Sequence, residues 1–137
     1  MQINWQNIAV WVLRILAALI LLQTLFFKFS GAEESIYIFS AIGMEPWGRI
    51  GTGILELIAA VLILYPRTTA LGSLLGLGLM AGALFFHVTK LGIAVQGDGG
   101  QLFIYALLVF ISCAILLVIF HKDLLVAAGK IINRKLA

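Results

Sequence analysis

The side chains that could do chemistry in this sequence are a few ionisable and amide groups inside long apolar runs. Arg14, Gln23 and Lys28 belong to the first run, Glu56 lies near the middle of the second, and His87 closes the third. An ionisable group inside a membrane span costs about 2.5 kcal/mol or more on insertion scales. Each of these residues therefore needs a partner or a purpose, which makes all of them site candidates.

Their heights along the helices separate these residues into a deep cluster and an outer cluster. At about 1.5 Å per residue, the backbones of Arg14 and Glu56 differ by roughly 8 Å in height, so an ion pair between them is expected. This pair either holds the first two spans in register or tunes Glu56 as a proton-handling carboxylate.

The outer cluster contains Lys28 and His87, with Gln23 and Gln101 beside them. These groups are donors at the mouth of a bundle, where they could hold the carbonyl oxygens of a quinone or an anionic substrate. Lys28 could instead be a snorkelling anchor, and His87 an interfacial histidine without a ligand. We predict Glu56 and His87 as catalytic residues. The predicted cofactor-binding residues are Lys28, His87, Gln23 and Arg14.

Other kinds of site find little support in the sequence. It contains no HExxH motif, paired Cys/His ligands or carboxylate cluster, so no metal site is predicted. The single cysteine, Cys113, excludes an intramolecular disulfide and CxxC exchange. The basic residues lie at the ends of the apolar runs and form no stripe with aromatic residues, so no nucleic-acid partner is expected.

The elements that position these residues are predicted to be membrane-spanning helices. Of the 137 residues 63% are hydrophobic and 11% are charged, which argues against a soluble globular domain and against disorder. Four apolar runs, at about 8–28, 48–65, 70–88 and 102–120, each approach the roughly 20 residues that a span requires. We therefore predict an all-α, integral membrane four-helix bundle that forms a single domain over residues 1–137.

Shorter elements are expected between and after the spans. Residues Glu33 to Ile42 favour a short interfacial helix in the first loop, and residues 122–137 an amphipathic tail on the membrane surface. The turn at 65–69 is tight, so the second and third spans should be antiparallel neighbours. The first run is predicted to be a retained span rather than a cleaved signal peptide, because of its length and because residues 1–7 lack Lys and Arg.

Small residues and charges add two expectations about the whole molecule. The third run has GxxxG spacings, which favour close packing within the bundle or, alternatively, a homo-oligomer face; the glycines are Gly72, Gly76, Gly78 and Gly82. Six Lys and Arg lie on the side of the termini and three on the other side, if Arg14 is counted with the termini. This bias predicts that both termini are cytoplasmic.

Six segments follow one another in a characteristic order: Arg14-Ile15-Leu16; Lys28-Phe29; Ala41-Ile42-Gly43-Met44-Glu45-Pro46; Gly53-Ile54-Leu55-Glu56-Leu57-Ile58; Tyr65-Pro66-Arg67-Thr68-Thr69-Ala70; and Met80-Ala81-Gly82-Ala83 before His87. In this order the sequence, over roughly residues 10 to 120, resembles the DoxX-like family of small four-helix membrane proteins. Thr24 is a departure, because that family often has a glycine one turn before the lysine.

The resemblance implies a multi-pass protein of the bacterial inner membrane. Some family members are subunits of thiosulfate:quinone oxidoreductase, and others are associated with membrane complexes that handle oxidative or thiol stress. The polar positions that the resemblance carries over are Arg14, Lys28, Glu56 and His87.

We predict a membrane subunit of an oxidoreductase system that contacts quinone or another small redox molecule at the outer cluster. With little chain outside the lipid bilayer, it would need a protein partner or redox subunit. The first alternative is a non-catalytic membrane scaffold whose buried charges are structural. The second is a small transporter or lipid-binding bundle with Glu56 as its proton site.

Overall fold

The computed structural model describes residues 2–137, which form five α-helices and one π-helical turn. The α-helices are α1 (Trp5–Ser30), α2 (Glu33–Ala41), α3 (Trp47–Leu64), α4 (Thr69–Phe86) and α5 (Gln101–Leu136), and the π-helical turn is His87–Leu91. Four segments are long and apolar enough to cross a membrane: α1, α3, α4 with the π-helical turn, and α5. The predicted all-α fold with four spans is confirmed.

The four long helices form an antiparallel bundle in which α1 and α4 are diagonal to each other. Both α1 and α4 pack against α3 and α5, whereas α1 and α4 make little contact. Both termini and the α3–α4 turn lie at one end, which we call the terminal side. The other end, with α2 and the loop 92–100, we call the loop side. The tight turn at 65–69 makes α3 and α4 neighbours, as predicted.

Small and aliphatic side chains fill the centre of the bundle. The buried core includes Ala17, Leu21, Ala59, Ala60, Ile63, Val109, Cys113 and Leu116. Small residues let the helix backbones approach closely, which matters because lipid provides no hydrophobic force between helices. A Cβ added at Gly72 would lie 2.6 Å from the backbone nitrogen of Ile63, so α3 and α4 touch there.

The glycines of α4 have two different surroundings. A Cβ at Gly76 would lie 2.8 Å from Cys113 Sγ, so this glycine, like Gly72, is needed for packing inside the chain. A Cβ at Gly78 or Gly82 would meet no atom within 4 Å. Of the two predicted uses of the GxxxG spacing, packing within the bundle accounts for the first pair.

The segment after the fourth span differs from the sequence prediction. Residues 122–136 continue α5 without a break, instead of forming a separate helix that lies on the membrane surface. The 36 residues of α5 span about 54 Å, whereas the hydrocarbon core is about 30 Å thick. The continuation follows from the absence of any helix breaker near His121, where polar residues begin. Most of its side chains are exposed.

Candidate functional site

A cavity of about 380 Å³ opens on the loop side of the bundle. It lies between the diagonal helices α1 and α4, under α2, and is lined mainly by apolar side chains. Its polar side chains include Gln23, Thr24, Lys28, Glu34, Glu56, His87, Gln101 and Tyr105. The volume falls within the roughly 300–1,000 Å³ of small-molecule sites, and an apolar wall with a few polar groups is typical of them.

Lys28 and Glu56 form an ion pair in the wall of this cavity. Lys28 Nζ donates a hydrogen bond to Glu56 Oε2 over 2.9 Å, and the two side chains are 14% and 6% exposed. Side chains in a helix lean toward its N-terminus. Because α1 and α3 are antiparallel, Lys28 leans toward the bundle centre and Glu56 leans toward the loop side, so the two side chains converge.

The predicted ion pair between Arg14 and Glu56 is wrong. Arg14 leans toward the N-terminus of α1 and therefore away from Glu56. Its guanidinium carbon lies 4.6 Å from the ring centroid of Trp11 and 5.1 Å from that of Phe120. Arg14 does not line the cavity, so the structure separates it from the other predicted cofactor-binding residues. Backbone heights alone suggested the pair, and side-chain direction excludes it.

Thr24 is a partner of Glu56 that the sequence analysis missed. Its Oγ1 lies 3.1 Å from Glu56 Oε2 and 2.9 Å from the carbonyl oxygen of Leu21, which share its one hydrogen. Thr24 precedes Lys28 by four residues, which places both on one face of α1. That spacing was the available signal.

Arg49 links the start of α3 to the end of α1. Arg49 Nε donates to both carboxylate oxygens of Glu45, over 2.9 and 3.0 Å. Its Nη1 donates to the backbone carbonyl oxygen of Lys28. A carbonyl in the last turn of a helix has no partner within that helix, and Arg49 supplies one for α1. This contact fixes the backbone from which Lys28 reaches Glu56.

His87, the first residue of the π-helical turn, makes two contacts with Gly92, the residue that follows the turn. The backbone N–H of Gly92 donates to the His87 carbonyl oxygen over 2.8 Å, and His87 Nδ1 lies 2.9 Å from the Gly92 carbonyl oxygen. A carbonyl oxygen only accepts, so Nδ1 carries the hydrogen. In the neutral ring Nε2 is then an acceptor, not the donor that the sequence analysis assumed.

The other nitrogen of His87 is left for a ligand. The His87 residue is 5% exposed and lines the cavity, with its ring edge-on to Phe103. Among residues 2–137, Nε2 has no hydrogen-bond partner. Single π-helical turns occur frequently at functional sites, where they redirect side chains. This turn begins at His87. The irregular backbone and the cavity lining therefore both identify His87 as a candidate site residue.

Further hydrogen-bond donors in the cavity lining come from α5 and from the rim of α1. Gln101 Nε2 donates to the Tyr105 hydroxyl over 2.7 Å, which leaves the hydroxyl hydrogen of Tyr105 free to donate. Gln23 is exposed at the rim on α1. Tyr105 follows Gln101 by one helical turn and was also missed by the sequence analysis.

Two carboxyl groups lie near the loop-side rim. The Asp98 carboxylate accepts from the backbone N–H groups of Val95, Gly100 and Leu102, over 2.9, 2.8 and 3.2 Å. Burial raises the pKa of Asp98, but these three contacts and the nearby His87 outweigh burial and place that pKa below its ordinary value. Burial, and then the charge of Asp98, raise the pKa of Glu34, which lines the cavity.

The donor set suits an organic ligand better than a metal ion. Within residues 2–137, no three His, Cys, Asp or Glu side chains lie close enough together to hold a metal ion. The cavity instead offers donors together with imidazole and carboxylate acceptors on an apolar wall.

Comparison of the chain with protein-family models, with curated proteins and with solved structures found no match. The resemblance to the DoxX-like family therefore stays a prediction.

Proposed function

We propose that this chain is the membrane subunit of an oxidoreductase system and binds a quinone–quinol pair in the loop-side cavity. The observation that carries the proposal is the combination of donors with one unpaired imidazole acceptor on an apolar wall. A quinone presents two carbonyl oxygens, which accept hydrogen bonds. A quinol presents two hydroxyl groups, which donate them. A site that serves both forms needs both kinds of partner.

The donors and the acceptor divide between the two forms of the ligand. Lys28 Nζ keeps two N–H groups beyond its bond to Glu56, and Tyr105 keeps its hydroxyl hydrogen, so both can hold carbonyl oxygens. Gln23 adds an amide donor at the rim. His87 Nε2 accepts from a hydroxyl group. Glu56 holds Lys28 in place and balances its charge.

Proton transfer is the chemical role that the residues themselves can perform. When bound, a quinone supplies two-electron redox chemistry. His87 Nε2 takes the proton of a ligand hydroxyl, while the Gly92 carbonyl oxygen stabilises the charge that forms on the ring. Glu34, whose pKa burial raises, lines the same cavity and is a second group there that can take up a proton. Electrons pass to or from a partner subunit.

We place the chain in the bacterial inner membrane with both termini in the cytoplasm. The six-to-three bias of Lys and Arg toward the terminal side supports this orientation. The resemblance to the DoxX-like family supports the compartment. In this orientation the cavity opens near the periplasmic face, where the quinol protons would be released.

The proposal is tested by titrating the purified protein with a decyl-chain benzoquinone and with its quinol. In His87→Asn, the amide nitrogen can still donate to the Gly92 carbonyl oxygen, but the basic Nε2 is removed. We expect about tenfold weaker quinol binding and a smaller change for the quinone. His121→Asn is the matched control, because His121 is exposed on the terminal side. Equal quinol affinity in wild type and His87→Asn would contradict the proposal.

A non-catalytic scaffold is the second candidate, and the two satisfied ion pairs favour it. Lys28–Glu56 and Arg49–Glu45 both pair within the chain, as structural charges would. The variant with both Lys28→Met and Glu56→Met separates the two functions, because it removes the pair without leaving one charge alone. A scaffold would keep its partner complex in this variant. A quinone site would lose quinone affinity while the fold persists.

A further inference from the structure

The most unusual charge in the molecule is Arg14, which lies far from the cavity on the terminal side. Arg14 is 5% exposed, and its Nε is fully buried without a hydrogen-bond partner. Among residues 2–137, no carboxylate or carbonyl oxygen bonds to any of its nitrogens. Lys28 and Arg49, in contrast, both pair with carboxylates of the chain.

The surroundings of Arg14 compensate its charge only in part. The guanidinium carbon lies 4.6 Å from the ring centroid of Trp11 and 5.1 Å from that of Phe120. Such cation–π contacts stabilise the charge but supply no acceptor for its N–H groups. A guanidinium presents five N–H donors in a planar fork that matches a phosphate group. The N–H donors of Arg14 are therefore suited to an anion with several oxygen acceptors, which the protein does not supply.

Arg14 lies beside the residue at which the apolar run of α5 ends. Its guanidinium lies beside Phe120, and the polar sequence His121-Lys122-Asp123 follows at once on α5. That sequence marks where α5 leaves the hydrocarbon region. Arginine side chains in this position extend to the interface, where lipid phosphates are located.

The surface of α1 on either side of Arg14 is exposed, although Arg14 itself is largely covered. Trp11 and Ile15, which flank Arg14 on α1, are 42% and 47% exposed. The Nη nitrogens, in contrast to Nε, are not fully enclosed. An anion that reaches them from the side would place attached acyl chains against this apolar surface. A free inorganic anion would gain nothing from it.

We propose that Arg14 binds the phosphate group of a phospholipid from the leaflet on the terminal side. Trp11 and Phe120 hold the guanidinium plane, and the Nη groups donate to the phosphate oxygens. The exposed apolar side chains of α1 contact the acyl chains. This lipid site is separate from the quinone cavity, and neither depends on the other.

The test is native mass spectrometry of the delipidated protein in a maltoside detergent, which contains no phosphate. The probes are a short-chain phosphatidylglycerol, a diacylglycerol with the same acyl chains, and inorganic phosphate as a competitor. We expect the wild type to bind phosphatidylglycerol but not the diacylglycerol. Arg14→Gln should bind it about tenfold more weakly. Arg67→Gln, which removes an exposed charge on the same side, should bind like wild type.

Three results would overturn the proposal. They are equal binding of the two lipids by the wild type, equal phosphatidylglycerol affinity in wild type and Arg14→Gln, and displacement of the lipid by an equal concentration of inorganic phosphate. The first and third need only the wild type, so they decide the matter even if Arg14→Gln does not fold. Arg14→Lys keeps the charge without the planar fork, and we expect its affinity to lie between wild type and Arg14→Gln.

Discussion

At the scale of single residues, side-chain direction decides which charges meet. Lys28 and Glu56 converge because their antiparallel helices tilt them toward each other, and Thr24 adds a hydroxyl contact to the same carboxylate. Arg14 leans the same way along α1 but starts much nearer the terminal side, so its side chain lies beside Trp11 and Phe120 and away from Glu56. The two cations of α1 therefore serve two sites about 21 Å apart in backbone height.

The Lys28–Glu56 pair gives a prediction for stability. Glu56→Gln and Lys28→Met each leave one charge buried alone, which costs about 3 kcal/mol for buried pairs. The double variant Lys28→Met with Glu56→Gln leaves no charge, so its loss should be smaller than either single loss. Thermal unfolding in detergent measures all three. If the stability loss of the double variant equalled the sum of the two single losses, Lys28 and Glu56 would not interact.

Asp98 gives a prediction for pH dependence. Its folded pKa lies below its ordinary value of 3.8, so its carboxylate stabilises the folded state above that pH. This stabilisation is lost as the pH falls through the folded pKa. Asp98→Ala removes three acceptor contacts at the start of α5 and should cost about 1 kcal/mol near neutral pH. The difference in melting temperature from wild type should shrink below about pH 4.

A difference that stays constant down to pH 3 would contradict this role of Asp98. Glu33→Ala is a suitable control, since Glu33 is exposed at the start of α2.

Most residues of the site could be predicted from the sequence, but the contacts between them could not. Polar interruptions in apolar runs identified Gln23, Lys28, Glu56 and His87, and the structure brings these four to one cavity. The partners of Glu56 and the acceptor role of His87 were missed. Both depend on three-dimensional contacts, one with the leaning Lys28 side chain and one with the Gly92 carbonyl oxygen.

At the scale of elements, α4 has a packing half and a cavity half. Gly72 and Gly76 allow close contact with α3 and α5, whereas Gly82 borders the cavity, where a side chain would meet open space. The GxxxG pattern predicted close packing correctly for the first pair. It could not separate the two halves, because both contain the same residue type at the same spacing.

The two halves of α4 respond differently to a larger residue. Gly82→Leu should fill the cavity and block ligand binding with little change in stability. Gly76→Leu should clash with Cys113 and cost about 1–3 kcal/mol, as overpacking does. Thermal unfolding and quinol titration of both variants measure these effects. If Gly82→Leu unfolded as readily as Gly76→Leu, the space beside Gly82 would not be the cavity described.

The projecting part of α5 makes few contacts with the bundle. Its side chains from Lys122 onward are mostly exposed. A chain that ends after Asp123 should therefore keep the melting temperature of the full chain within about 2 °C, because surface changes of this kind alter stability by less than about 0.5 kcal/mol. Circular dichroism should show a loss of helix from these residues. A large destabilisation would show that the segment packs on the bundle.

At the scale of the whole molecule, composition and run lengths were sufficient to predict four antiparallel spans. The boundaries differ by a few residues, and α5 continues well beyond its apolar run. The amphipathic pattern of residues 122–137 predicted a surface helix, because amphipathic segments often lie on membranes. The continuous backbone instead depends on helix propensity across residues 120–125, where nothing interrupts α5.

The topology predicts which segments share a side of the membrane. Cys113 is buried, so a thiol reagent is expected to label only a cysteine that is added at the surface. In sealed vesicles, Gln96→Cys and Lys130→Cys should react with a membrane-impermeant maleimide from opposite sides. Arg67→Cys should react from the same side as Lys130→Cys. Labelling of Gln96→Cys and Lys130→Cys from one side would contradict the four-span arrangement.

The proposed quinone cavity is best tested by identifying the ligand that co-purifies with the protein. Wild type and Gly82→Leu are purified in parallel from a quinone-containing bacterial host, and their organic extracts are analysed by mass spectrometry. We expect stoichiometric quinone in the wild type and its loss from Gly82→Leu, with phospholipid retained in both because the Arg14 site is unchanged. Phospholipid alone in the wild type extract would contradict the quinone cavity and favour the scaffold.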